Sequence, residues 1–172
     1  MVKSNILIFP IALAFFCATF HVQAQSNLTL RVMAANTTSG NGQSYEGPGI
    51  RIFQGLQPDI VAIQEFRYNS SSDSNSLRTL VNTAFGSNFN FYVEPSGNIP
   101  NGIVSRYPIL AAGSWDDTFV SDRGFAWALV DLPGTNDLYV VSVHLYGGGS
   151  ASDRGAEAAE IKSKVQSDFP PN

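Results

Sequence analysis

The stretch that most limits what this chain can become is residues 59 to 66, "DIVAIQEF", where Ile60, Val61, Ala62 and Ile63 are followed at once by an amide and a carboxylate. An unbroken run of mostly branched residues reads as a strand buried on both faces, and such strands belong to sheets covered by helices. Upstream, "LTLRVMAAN" (28 to 36) alternates Leu28, Leu30, Val32 and Ala34 with Thr29, Arg31, Met33 and Ala35, the period of two of a strand with one face buried. Between the two, Ile50, Phe53, Gln54 and Leu56 fall at helical spacing after Pro48, and Pro58 stops that helix because it cannot continue one. The connections of this strand, helix, strand unit are short, so the two strands are expected to be parallel neighbours with the helix over one face.

Residues 72 to 86 predict a second helix, with Leu77, Leu80, Val81 and Phe85 on one stripe and Gly86 as its stop. Beyond it the texture changes to short β-type segments, "FNFYVEP", "NGIVSRYPI" and "ILAAGSWDD", separated by Gly, Pro and Asn. "GFAWALVDL" and "DLYVVSVHL" bracket the turn "PGTN" as a hairpin, and "SDRGAEAAEIKSKVQSDF" is helical until Pro170. There is no internal repeat, heptad or low-complexity linker, so one domain is expected.

The first residues stand apart from this pattern. Lys3 precedes the apolar run "ILIFPIALAFFCATF", and Val22 and Ala24 are small residues suited to cleavage after Ala24. Residues 1 to 24 are therefore expected to be a secretory signal peptide, and the protein to be secreted or periplasmic. As an uncleaved anchor the run is short of the roughly 20 apolar residues a membrane span needs, and Pro10 and His21 weaken it further. Cys17, the chain's one cysteine, lies inside it, so the mature protein relies on burial rather than disulfides. A 44% apolar and 14% charged composition over 172 residues supports a globular core, not a disordered chain. The net charge of −4 leaves no basic stripe for a pure nucleic-acid-binding module. An enzyme that meets phosphate through a metal ion is not excluded, because the cation supplies the positive charge at the contact.

The chemistry is expected where apolar strands end. A carboxylate at the carboxyl end of a doubly buried strand lies where open α/β sheets place ligands, and burial there is costly without a cation or donors. Asn36 ends the neighbouring strand, so Asn36 and Glu65 should lie side by side, and a Glu assisted by an amide suffices for a hard cation that keeps water ligands. His144 follows the apolar run "LYVVSV" and opens onto the Gly-rich "LYGGGSAS", where an imidazole can donate to a phosphate oxygen or move a proton. Arg123, in "SDRGFAW", suits phosphate through its planar fork, and equally suits a surface ion pair with Asp122 or Asp131. Gly147 to Gly149 with Ser150 lack the Lys and spacing of a P-loop.

Taken in order, "LRVMAAN", "PDIVAIQEF", "NGIVSRYPI" and "YVVSVHL" resemble the motifs of the endonuclease/exonuclease/phosphatase superfamily, the Gln-Glu pair after Pro-Asp being the most specific. The resemblance implies a four-layer α/β sandwich, two mostly antiparallel or mixed sheets face to face with helices outside. It implies Mg²⁺ or Mn²⁺ on Glu65, Asn36 positioning metal, water or phosphate, His144 assisting the scissile phosphate, and Arg123 orienting it. His144 and Thr38 point to the deoxyribonuclease and sphingomyelinase branch rather than the apurinic endonucleases. The implied reaction is metal-assisted attack of water on a phosphodiester or phosphomonoester, in nucleic acid, a phospholipid headgroup or a sugar phosphate.

The resemblance covers nearly all of residues 28 to 168 but only the amino-terminal part of the family's domain. The later Gly-Asp-x-Asn strand, a further Asp and a terminal His motif have no counterpart before Asn172. Residues 25 to 172 are thus expected to be a C-terminally truncated domain with a half-built metal site and little hydrolysis. The competing expectation is a non-catalytic exported binding module on the same sheets.

Overall fold

The computed structural model describes residues 28–37, 46–95, 97–134 and 136–170. The expected signal peptide, Cys17 and Thr38 lie outside the described residues. The elements run β1 (Val32–Asn36), α1 (Glu46–Leu56), β2 (Ile60–Gln64), α2 (Ser74–Ala84), β3 (Asn90–Val93), β4 (Gly102–Ser105), β5 (Ile109–Asp116), β6 (Gly124–Val130), β7 (Leu138–Ser142) and α3 (Ala151–Asp168).

The first four strands form one sheet in the order β1-β2-β4-β3. Its β1 and β2 are parallel, with Val32 opposite Ile60 and Asn36 opposite Gln64, as the short strand, helix, strand connection requires. Alternate residues of β2 serve two cores. Val61 and Ile63 join Phe53 of α1 and Leu77, Leu80, Val81 and Ala84 of α2 in the helix layer. Ile60 packs instead against Ile103 and the second sheet. This double duty is why the sequence shows no alternation there. Asp73 caps α2 by accepting the Asn75 and Ser76 amides, and Gly86 at φ +112° leaves the helix through a bond to the Val81 carbonyl. Pro48 lies in the first turn of α1, where a missing N–H costs nothing, and the helix ends at Leu56, with Gln57 left-handed ahead of Pro58.

β5, β6 and β7 form the second, antiparallel sheet. Ala126, Ala128, Val130 and Val140 face Ile60 and Ile103 across the interface, the small alanines allowing close approach of the two sheets. The outer face of this sheet carries Trp115, Trp127 and Tyr139, closed off by Phe169, whose ring stacks on Tyr139 at 3.9 Å between centroids. α3 lies on this side, begun by a reciprocal capping box between Ser150 and Asp153. The layers are helix, sheet, sheet, helix, the expected four-layer arrangement.

The alternation in β1 left open which set of residues is covered. Met33 and Ala35 are the ones packed into a core, while Val32 is 58% exposed. Both faces of β1 are apolar, so alternation alone could not choose between them. The choice is made elsewhere: the helices cover one face, while the second sheet stacks mainly beneath β2, β3 and β4.

Candidate functional site

β2 stops at Gln64, and Glu65 takes the left-handed backbone conformation with φ 53°. Had the strand continued, alternation would have sent the Glu65 side chain to the face opposite Gln64. The reversal instead sets its carboxylate beside β1, where the Asn36 amide donates to Oε1 at 3.1 Å. Thr37 secures the turn: its N–H donates to the Gln64 carbonyl at 3.0 Å and its hydroxyl to the Glu65 carbonyl.

The second sheet supplies the facing half. His144 lies two residues beyond β7 and Arg123 immediately before β6, adjacent positions because Ala126 pairs with Ser142. An Arg123 guanidinium nitrogen lies 3.3 Å from His144 Nδ1. A guanidinium only donates, so Nδ1 accepts and the neutral ring carries its proton on Nε2. That Nε2 faces Glu65 Oε1 at 3.9 Å. Burial pushes the imidazole pKa below its usual value and the Arg123 charge pushes it further, with Glu65 and Asp122 opposing. The structure thus brings together all four residues expected from sequence, and the Arg123 side chain, itself buried, also keeps the alternative ion pair with Asp122 at 3.7 Å.

The two halves are joined beneath the site. Ser142 Oγ donates to the Ile63 carbonyl at 2.8 Å and accepts from the Gln64 side-chain amide at 3.3 Å, tying the end of β7 to the end of β2.

No protein-family model matches the sequence, and no curated protein matches it. Solved structures do. An endonuclease/exonuclease/phosphatase family protein from Leptotrichia buccalis superposes with a TM-score of 0.60 at 16% identity, over 81% of this chain and 63% of that one. A humanized D. rerio TDP2 carrying 14 mutations gives 0.62 at 17% identity, over 82% and 57%. A 3' phosphatase from Neisseria, NExo, bound to product DNA hairpin gives 0.55 at 14%, over 80% and 52%. The chain has the endonuclease/exonuclease/phosphatase fold. It spans between about half and two-thirds of the length of these structures.

Within the endonuclease/exonuclease/phosphatase fold of this chain, sequence reasoning missed a buried layer behind the site. Glu94, just after β3, is 2% exposed and accepts the backbone N–H groups of Asn101 and of Gly124 next to Arg123. Burial raises its pKa to about 7, the two N–H bonds and Arg123 opposing. Gly124 is required there: a Cβ would sit 2.8 Å from Glu94 Oε2 and against the Trp115 carbonyl. The sequence carried one usable signal, a Glu ending the strand segment "FNFYVE" as Glu65 follows "DIVAIQ".

Proposed function

We propose that this protein is a secreted, divalent-metal-dependent phosphoesterase that hydrolyses phosphodiester or phosphomonoester bonds. The observation that carries this reading is the meeting, across the rim of two sheets, of an amide-supported carboxylate and a neutral imidazole whose tautomer is held by an arginine. Among the described residues no group of three or more His, Cys, Asp or Glu is arranged to hold a metal ion. Glu65 with the Asn36 amide oxygen is an all-oxygen donor pair, which fits Mg²⁺ or Mn²⁺ retaining water ligands and does not fit a closed zinc site.

Glu65 and Asn36 would hold such an ion, which when bound supplies Lewis-acid polarisation of a phosphoryl oxygen. His144 presents its Nε2 proton to a non-bridging phosphate oxygen, and Arg123 keeps that proton on Nε2 by donating to Nδ1. Arg123, its side chain largely buried, also adds fixed positive charge where the phosphate's negative charge increases.

Export rests on the expected signal peptide at residues 1 to 24; no helix among the described residues is long and apolar enough to cross a membrane. The Neisseria 3' phosphatase bound to a DNA hairpin makes nucleic-acid phosphate esters the first substrates to test, ahead of phospholipid headgroups and sugar phosphates. The test is Mg²⁺-dependent hydrolysis of bis-p-nitrophenyl phosphate and of a 3'-phosphorylated DNA hairpin. Activity in the native chain, at least tenfold lower in Glu65→Ala and in His144→Ala, supports the reading. Full activity in Glu65→Ala removes the metal assignment, and no metal-stimulated turnover on any phosphate ester supports the binding module.

A further inference from the structure

A second pair of acidic groups lies outside this site. Glu157 is the one residue of α3 assigned as buried, at 0% exposure, and both of its oxygens accept the Tyr146 N–H, at 2.9 and 3.1 Å. Asp117, at the start of the loop between β5 and β6, is 7% exposed; its Oδ1 accepts the Phe119 and Val120 N–H groups at 2.8 and 3.3 Å. Its other oxygen, Oδ2, is buried and meets no donor. Thr118, the next residue, donates its amide and hydroxyl to Glu160 of α3, which seats the Asp117 loop against the helix that carries Glu157, and the Asp117 charge acts on the Glu157 carboxyl. Two carboxylates have only acceptors to offer each other, and an unpaired buried charge is costly.

We infer that Asp117 and Glu157 share one proton, and that this acid–carboxylate pair is the positioning device that fastens the Arg123 loop to the His144 loop. Tyr146 is two residues beyond His144, and Asp117, Phe119 and Val120 lead directly into Asp122 and Arg123. The shared proton therefore closes a path from one member of the Arg123–His144 contact to the other. The inference rests on reading these two as site residues. It gives Glu157 a role without contact to substrate.

The charged groups around the pair agree with a proton on Glu157. Burial raises its pKa, the neighbouring Asp117 charge raises it further, and Arg123 and the Tyr146 N–H oppose. On its own helix Arg154 is committed to the Gly149 carbonyl and Glu160 to the Thr118 amide and hydroxyl, so neither displaces the proton. The folded state then holds a proton that the unfolded chain has released. Its stability contribution is full below the ordinary Glu pKa and is lost as pH rises above it.

The test compares the 172-residue protein with Glu157→Gln and Glu157→Ala. Gln mimics the protonated acid, accepting from Tyr146 and donating to Asp117. Melting temperatures are expected to match between native protein and Glu157→Gln near pH 4, with Glu157→Gln about 2–4 °C higher by pH 8. The His144 ring signals in NMR, His21 being the other imidazole, should show a second inflection above the ordinary Glu range that is absent in Glu157→Gln. A Glu157→Gln protein as unstable as Glu157→Ala at every pH overturns the shared proton. So does a rise in native melting temperature on adding Ca²⁺ that Glu157→Gln lacks, which would place a cation between the carboxylates. Unchanged His144 signals would reduce the pair to a structural tie. None of these measurements needs metal turnover or substrate, so a failed hydrolysis assay sinks the phosphoesterase reading alone.

Discussion

At Glu65 a non-glycine residue holds φ 53°, a conformation that costs an L side chain about 1–2 kcal/mol. That cost is accepted where the reversal aims a carboxylate, so Glu65→Gly should be more stable than Glu65→Ala by about 1 kcal/mol in urea denaturation, although both lose the carboxylate oxygen that the Asn36 amide reaches. A result in which Ala is equal or better would mean the turn is unstrained. Arg123 makes a second residue-level prediction. Its charge depresses the His144 pKa, so in Arg123→Gln the imidazole should titrate at higher pH by NMR. Because the folded pKa lies below the ordinary His value, the native site adds stability above that value and loses it as pH falls, and Arg123→Gln should narrow this acid sensitivity. Asn36, Glu65 and His144 were legible because each closes an apolar run. Glu94 closes one too, but its burial, like that of Asp117 and Glu157, is decided by other segments of the chain: Glu94 accepts the Asn101 and Gly124 N–H groups, and Glu157 the Tyr146 N–H.

Among the elements, α3 is held in an unusual way. Glu157, Glu160 and Asp168 anchor it through the Tyr146 amide, the Thr118 amide and hydroxyl, and the Trp115 indole N–H, respectively; its apolar mooring is Phe169 just past its end. Its helical character was visible in the sequence, but with so few apolar residues the docking face was not. Phe169→Ala should release the carboxyl end of α3, lowering stability by roughly 3 kcal/mol and shifting tryptophan fluorescence to the red as Trp115 and Trp127 become wetter. Unchanged emission would show that the polar anchors suffice. Leu80, 2% exposed in α2, gives a comparison from an ordinary apolar helix face: Leu80→Ala should cost about 2–5 kcal/mol with no spectral change. At the start of β6, Gly124→Ala should cost about 1–3 kcal/mol by crowding the Glu94 carboxylate and the Trp115 carbonyl.

On the scale of the whole molecule, the parallel β1–β2 pair and the β6–β7 hairpin follow from run lengths and connection lengths already present in the sequence, and the four layers from the resemblance; the order β1-β2-β4-β3 was not legible, because nothing local places β4 between β2 and β3. Which face of β1 is covered does not follow either, since it depends on how far the second sheet extends. Val32 and Ala34 are left exposed on a strand at the end of its sheet, a combination that favours pairing between molecules. The 172-residue chain should therefore associate with rising concentration in sedimentation velocity, and Val32→Lys should suppress this while changing the melting temperature little. Association unaffected by Val32→Lys would point to another surface. The Ser142 hydroxyl, finally, acts at this scale through its position. It is a rivet at the rim where two stacked plates carry opposite jaws of a clamp. Without it, as in Ser142→Ala, the plates would remain stacked on their alanine-lined interface while the jaws drifted in aperture. On the proposed function, a protein with native melting behaviour and a blunted grip on phosphate would be its signature.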